Sequence, residues 1–185
     1  VLDYRWDISV IKIVQSPDPL LNQVCEPCDP KKDKTLKRLS KQMANIMYKN
    51  NGVGLAAPQV GVLKRIIVVD CDWDEETRDP IVLLNPEIVE IKGEPITDGE
   101  GCLSIPGITV PITRQPWVRF RYLDLEGELW EIESDGLLGR CLQHEIDHLN
   151  GKTLFESCSP TDRIAAVTEY ENAIAAGAKP GDTSI

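Results

Sequence analysis

The stretch QHEIDHLN, Gln143 to Asn150, carries residue types whose spacing can hold a metal ion and a base. His144 and His148 are four residues apart, so on a helix both imidazoles lie on one face, about one turn apart, within reach of a single ion. Glu145 is adjacent and can face a water molecule held by that ion. The HExxH pattern therefore indicates two metal ligands and a general base for hydrolysis.

The HExxH pattern also arises by chance on polar helix faces, where its side chains are simply solvated charges. Leu142, Ile146 and Leu149 recur at helical spacing around the motif and predict that the helix is buried. Buried histidine and glutamate side chains need partners, because an unpaired polar group is costly away from water. This setting favours the metal site.

The third metal ligand cannot be a histidine, because the chain contains two histidines and both are in the motif. A catalytic site that leaves one position open normally takes three protein ligands. The metzincin pattern is excluded, since Leu154 stands where that pattern needs a histidine. A thermolysin-like site takes a glutamate about twenty residues beyond the motif as third ligand. Glu169 lies 21 residues beyond His148 and meets this spacing, but it is close to the chain end. Cys102 lies in the glycine-rich stretch DGEGCLSIPG, where the backbone can approach closely and present a thiolate. Glu169 and the cysteines, Cys102 among them, are the candidates that the residues leave.

Periodic patterns place the motif in a chain of mixed helices and strands. Helical spacing predicts amphipathic helices over about 33–49 and 135–149, and Ser159 with Pro160 predicts a short final helix over about 160–175 before a frayed tail. The predicted strands are 9–14, 65–69, 81–84, 88–91, 118–123 and 128–132, with DLEG forming a hairpin turn between the last two. These elements predict an α+β fold in a single catalytic domain over 1–185, with its core at about 8–155.

The stretch GVGLAAPQ has a nucleotide-binding and a structural interpretation. Gly52, Gly54 and Ala57 satisfy the dinucleotide fingerprint GxGxxG/A, which requires a strand before it and a helix after it. Here a predicted helix precedes the glycines, and Pro58 and the apolar run RIIVV follow. The order is reversed, so nucleotide binding is disfavoured. A glycine turn that leads into a core strand remains the structural alternative.

Composition and charge exclude several classes of partner. The balance of 20 Lys and Arg against 30 Asp and Glu gives a net charge of −10, which repels nucleic acid and anionic membrane surfaces. No apolar run approaches the roughly 18 residues of a membrane span. The six cysteines are expected to be free thiols, and the CEPC pair, Cys25 and Cys28, is expected to lie in a loop. A cytoplasmic bacterial location is expected, or an organellar one if a transit peptide has been removed.

Three stretches taken together resemble the peptide deformylase family. They are GVGLAAPQVG (52–61), EGCLS (100–104) and QHEIDHLNG (143–151), and they occur in the family's order. The resemblance spans about 8–155 and implies short mixed or antiparallel sheets around a central HExxH helix. It implies that Cys102, His144 and His148 bind one divalent ion and that Glu145 is the catalytic acid and base.

The resemblance also assigns roles around the reacting group. It implies that the Gln59 side chain and the Leu103 N–H donate hydrogen bonds to the developing oxyanion, and that Gly54 contacts the substrate through its backbone. Glu100 resembles a residue that orients the site from behind or at a strand edge. The full set of implied substrate-binding residues is Gly52, Val53, Gly54, Glu100, Gly101, Leu137 and Cys141. For Leu137 and Cys141, which resemble the family's apolar methionine pocket, ordinary helix core is the alternative.

The implied substrate is the N-formylmethionyl end of a nascent peptide, with formate as product and the ribosome as a transient partner. A thiolate with two imidazoles suits zinc by general rule, whereas the resemblance implies native Fe²⁺ that Ni²⁺, Co²⁺ or Zn²⁺ can replace. A metallopeptidase that cleaves ordinary peptide bonds is the alternative, and it explains HExxH alone. Residues 1–7 form a short extension before the first expected strand, and the acidic loop 70–79 is expected to be mobile with no assigned role.

Overall fold

The computed structural model describes residues 11–183 of the chain. Its helices and strands follow in the order α1 (Leu36–Lys49), β1 (Gly54–Ala56), β2 (Ile66–Val69), β3 (Ile81–Lys92), β4 (Ile96–Cys102), β5 (Ile105–Arg114), β6 (Trp117–Leu123), β7 (Leu129–Ser134), α2 (Leu137–Leu149), α3 (Leu154–Ser157) and α4 (Pro160–Ala175). Short 3₁₀ turns at Pro19–Asn22 and Ala57–Val60 complete the described elements.

The strands form two antiparallel sheets. One has the order β1-β2-β3-β6-β7, and the other is the pair β4-β5. The predicted α+β class is confirmed, as are the hairpin of β6 and β7 and the helices that became α1 and α2.

The central helix α2 lies against the five-stranded sheet and faces the small sheet with its polar side. Leu142, Ile146 and Leu149 pack into a buried cluster with apolar residues of β2, β3 and β6, such as Phe120. This burial of the apolar stripe fixes the rotation of the helix. The HExxH side chains are thereby turned inward, toward β4.

Two predicted strands, 81–84 and 88–91, are parts of the single strand β3. The ladder with β6 shifts register between Leu84 and Glu87, where Asn85 adopts a positive φ of 51°. The Asn85 side chain accepts a hydrogen bond from the Cys28 N–H at 2.7 Å and donates one to the Cys28 carbonyl at 2.8 Å. This long-range anchor holds the bulge, so a break in the sequence pattern is not a break in the strand.

Other predictions differ from the structure. Strand 9–14 is wrong over its described part, because residues 11–14 form no strand; the Val14 N–H donates one backbone hydrogen bond, to the Gln59 carbonyl at 2.8 Å. Residues 9 and 10 of that strand and the extension 1–7 lie outside the described residues. The glycine- and proline-rich strands β4 and β5 were missed. The tail beyond α4 has turns at 176–177 and 180–181, with Gly181 against the Asn50 carbonyl and Ala178 near Gly107; that the tail is frayed stays a prediction.

Candidate active site

Three buried side chains of the predicted metal site converge on one point. Cys102 ends β4, and His144 and His148 project from the inward face of α2. His148 Nε2 lies 3.3 Å from Cys102 Sγ and 3.2 Å from His144 Nε2, and the three donor atoms all lie within 4.8 Å of one another. A tetrahedral ion with ligand bonds of about 2.0–2.3 Å separates its donors by roughly 3.3–3.6 Å. This donor set therefore fits one divalent metal ion.

Glu100 lies behind His144 and sets the direction of its ring. Glu100 Oε1 lies 3.0 Å from His144 Nδ1, and Arg114 donates to both carboxylate oxygens, from Nε at 3.0 Å and from Nη2 at 2.9 Å. Burial raises the pKa of Glu100, but hydrogen bonds from His144 and Arg114 outweigh it and lower that pKa to about 2. An ionised carboxylate on Nδ1 directs Nε2 toward the point where the three donor atoms meet. Burial lowers the pKa of His144, but hydrogen bonds to Cys102 and Glu100 outweigh it and raise that pKa to about 10, so metal binding there would release a proton from the ring.

Two arginines that sequence analysis did not single out complete this network. Arg114 also pairs with Asp147, which accepts a hydrogen bond from the Ser157 hydroxyl at 2.8 Å. Arg140 pairs with Glu100 and donates to main-chain carbonyls of β4 at 2.9 Å and of β5 at 3.1 Å. A buried glutamate needs a positively charged partner. A prediction that Glu100 is buried would therefore have indicated that arginines such as Arg114 and Arg140 lie beside it.

Glu145, the predicted base, has a buried carboxyl group beside the predicted metal site. Its side chain is 2% exposed, and among residues 11–183 its Oε2 has no hydrogen-bond partner. Burial raises the pKa of Glu145 to about 7. A carboxyl group with that pKa can both accept and return a proton near neutral pH. Burial likewise holds the pKa of His148 well below its usual value, so its imidazole is the neutral form that binds metals.

Two predicted oxyanion donors lie beside the predicted metal ligands. Gln59 belongs to the 3₁₀ turn after β1, and its Oε1 accepts a hydrogen bond from Ala56 N–H at 3.0 Å. That bond directs Nε2 toward Ser104 Oγ, at 3.1 Å, and Cys102 Sγ, at 3.6 Å. Leu103 follows Cys102 directly and is buried. Both residues face the same cavity.

The cavity is small and gathers most of the predicted site. It has a volume of ≈ 10 Å³, enough for about one water molecule. Its walls are formed by Gly52, Val53, Gly54, Gln59, Gly101, Cys102, Leu103, His144 and Glu145. Gly54 must be a glycine, because a Cβ there would lie 2.5 Å from Cys141 Sγ and 2.9 Å from Glu145 Oε1.

Four other residues named from the sequence lie outside this wall. Leu137 begins α2 and is 46% exposed, and Cys141 is fully buried beneath Gly54. Glu100 points into the arginine network rather than the cavity. Glu169 is exposed on α4 and is not part of the metal cluster.

Two further predictions concern the cysteines and the membrane. All six cysteines, including Cys25 and Cys28, are free thiols, as predicted. Within residues 11–183, none of the helices has the length and apolar character needed to cross a membrane.

Comparisons with known proteins point to one family. The family described as polypeptide deformylase matches residues 10–164. A peptide deformylase of Alkalilimnicola ehrlichii is 42% identical over 170 residues, covering 92% of this chain and 94% of the relative. One of Thermodesulfovibrio yellowstonii is 46% identical over 156 residues, covering 84% and 93%.

Solved structures agree with these sequence matches. A crystal structure of a peptide deformylase from Legionella pneumophila superposes with a TM-score of 0.83 at 39% identity, covering 91% of this chain and 97% of that one. A peptide deformylase from Synechococcus elongatus in complex with actinonin gives 0.79 at 36% identity, covering 90% and 86%. The arrangement of helices and sheets around α2 is therefore shared with enzymes of known fold.

Proposed function

The chain belongs to the peptide deformylase family, hydrolases that remove formyl groups from peptide N-termini, and we propose that it acts on the N-formylmethionine of nascent peptides through Cys102, His144, His148 and Glu145. The observation that carries these roles is the convergence of three buried metal-binding atoms next to a buried carboxylate, one oxygen of which has no hydrogen-bond partner within the described part of the chain. This combination supports hydrolysis rather than a purely structural metal site, because a structural site has no use for a free base.

Cys102, His144 and His148 would hold one divalent ion. Such an ion, when bound, polarises the formyl oxygen and makes a bound water more acidic. The protein's part is to keep the thiolate and the two Nε2 atoms aimed at one point, which Glu100 supports for His144. We propose Fe²⁺ as the native ion, as the resemblance to the family implies. Ni²⁺, Co²⁺ or Zn²⁺ can replace it, because the mixed thiolate and imidazole set accepts all of these ions.

Glu145 moves the proton in this scheme. Its carboxylate takes a proton from the water that attacks the formyl carbon, and it later gives that proton to the departing amine. Its carboxyl group faces the cavity near Gly54, which supports a position beside the formyl carbon. Formate and a peptide with a free N-terminal amine are the products.

Gln59 and Leu103 stabilise the oxyanion. The hydrogen bond from Ala56 N–H to Gln59 Oε1 holds the amide so that Nε2 is already oriented before substrate arrives. Donors fixed in advance cost no reorganisation during the reaction, and losing one such donor costs on the order of 3 kcal/mol in other enzymes. The Leu103 N–H is the second donor in this proposal.

Gly52, Gly54 and Gly101, which line the cavity, contact the substrate backbone in this proposal. β1 is an edge strand of the larger sheet, so an extended peptide can add beside Gly54 as another strand. Gly52, Val53 and Gly101 line the same opening. Cys141, beneath Gly54, contributes the apolar floor for methionine in this proposal, whereas the half-exposed Leu137 has no assigned part.

Partner and location belong to the same proposal. A nascent peptide offers its formylated end at the ribosome, so transient contact with the ribosome and a cytoplasmic location are expected. The alternative of a general metallopeptidase is not favoured, since the relatives and structural neighbours named above are peptide deformylases.

The test is formate release from formyl-Met-Ala-Ser by anaerobically purified protein, with metal content measured on the same sample. We expect rapid release at one metal ion per chain and no cleavage of unformylated Met-Ala-Ser. Cleavage of the unformylated peptide, or no formate release from fully metal-loaded protein, would contradict the proposal.

A further inference from the structure

The acidic loop 70–79, which sequence analysis expects to be mobile, is tied to the wall of the cavity. Asp70 N–H donates to the Val53 carbonyl at 2.8 Å. Trp73 Nε1–H donates to the Gly52 carbonyl at 2.9 Å. Gly52 and Val53 both line the cavity, so two successive carbonyls of its wall are held by this loop.

The position of the indole follows from the end of the sheet ladder. The ladder between β1 and β2 begins at Gly54, and the bond from Asp70 to Val53 extends it by one residue. After Asp70 the chain turns away, so no backbone N–H of the loop donates to the Gly52 carbonyl. The Trp73 indole N–H donates to the Gly52 carbonyl instead. Hydrogen bonds from the loop therefore reach one residue further along the segment that precedes β1.

A cage of aromatic and charged groups holds that indole. Its ring meets the Tyr48 ring edge-on at 5.1 Å and 72°, and the Arg78 guanidinium lies 4.8 Å from the Tyr48 ring centre and 5.5 Å from that of Trp73. Tyr48 donates its hydroxyl to Asp70 at 2.6 Å, and Asp79 N–H donates to the same carboxylate at 2.9 Å, which closes the loop at its base. The indole is therefore fixed from several sides.

We propose that Trp73 is a positioning residue that fixes Gly52 and, through it, the edge on which the substrate backbone docks. The inference rests on the proposed function of Gly54 as a backbone contact. Gly52 packs closely against Leu103, since a Cβ at Gly52 would lie 2.8 Å from Leu103 Cδ1. A loosened Gly52 carbonyl would let the edge move before substrate binds, which weakens binding more than it affects the chemical step.

The experiment compares two single substitutions that each remove one indole N–H. Trp73→Phe keeps a ring in the cage and removes the donor to Gly52. Trp130→Phe removes the donor to Asp124, a 2.8 Å bond at the exposed end of the hairpin of β6 and β7. A lost neutral hydrogen bond corresponds to a factor of about three to ten, so we expect Trp73→Phe to raise KM for formyl-Met-Ala-Ser by that factor with kcat within about twofold. Trp130→Phe should leave both constants unchanged, with equal metal content in all samples.

A second substitution and a measurement independent of activity complete the test. Arg78→Ala removes an exposed guanidinium from the Tyr48 and Trp73 rings but leaves the indole N–H in place, so it should raise KM by a smaller factor, about twofold. Amide hydrogen exchange in the segment 52–56 should be faster in Trp73→Phe than in Trp130→Phe.

An unchanged KM in an active Trp73→Phe enzyme overturns the proposal, whatever the exchange rates. If the unmodified protein releases no formate, the proposed function fails instead. Hydrogen exchange then decides alone whether Trp73 fixes this edge, and equal rates in the two variants overturn that claim.

Discussion

Two groups of ion pairs in this chain use the same residue types in opposite surroundings. Between α2 and the small sheet, Glu100 pairs with Arg114 and Arg140, and the side chains are 0%, 8% and 15% exposed. Across β6 and β7, Arg121 pairs with Glu131 at 2.9 Å, and these side chains are 46% and 45% exposed. The Arg114–Glu100 and Arg121–Glu131 contacts have the same N–O distance of 2.9 Å, so burial and the number of partners set the difference in energy.

The buried and exposed ion pairs differ in how much they stabilise the fold and in whether they contact the predicted metal site. Water screens the exposed pair, and such pairs contribute about 0–1 kcal/mol. Breaking a buried pair by removing one partner costs about 3–5 kcal/mol, because the other charge stays buried without compensation. Glu100 also contacts His144 Nδ1, so the buried pair couples folding to the direction of a predicted metal ligand. The exposed pair has no such connection.

The largest expected effect is that of Glu100→Ala. It leaves the buried Arg114 guanidinium with Asp147 as its remaining carboxylate partner and the partly buried Arg140 guanidinium with none among the described residues, so the free energy of unfolding should fall by about 3–5 kcal/mol. It also frees His144, so metal affinity should fall by about 10- to 100-fold. Urea unfolding measures the first effect, and competition with a Co²⁺-binding chelator measures the second. A variant with unchanged metal affinity would show that Glu100 does not orient His144.

The smallest expected effect is that of the matched variant Glu131→Ala. Its partner Arg121 remains solvated, so the free energy of unfolding should change by less than about 1 kcal/mol, and this change should shrink further at high salt. Metal affinity and formate release should stay at the level of the unmodified protein. A loss as large as that of Glu100→Ala would break the comparison, because burial would then not be the deciding factor.

Local patterns in the sequence predict the helices of the site but not the contacts that complete it. The HExxH helix was predictable because Leu142, Ile146 and Leu149 repeat along one stripe. The strand that presents Cys102 was not, because ITDGEGC is rich in residues that usually interrupt strands, and its pairing with β5 supplies the order. Cys102 was therefore singled out as a ligand through the family resemblance.

The buried arginines illustrate the same limit. Arg114 lies 14 residues from Glu100 and Arg140 lies 40 away, and neither spacing has a local signature. Their role depends on the packing of α2 against the small sheet. Trp73 is similar, since its bond to Gly52 depends on where the ladder of β1 and β2 ends.

The most direct test of the account is Glu145→Gln, with formate release and metal content measured on the same anaerobic sample. Gln keeps the size of the side chain but cannot take a proton, and general acid–base catalysis contributes about 10²- to 10⁴-fold in rate. We predict one bound metal ion per chain, as in the unmodified protein, and a fall in kcat within that range. Full activity would contradict the role of Glu145 as the proton carrier. Loss of the metal ion would contradict the assignment of all metal binding to Cys102, His144 and His148.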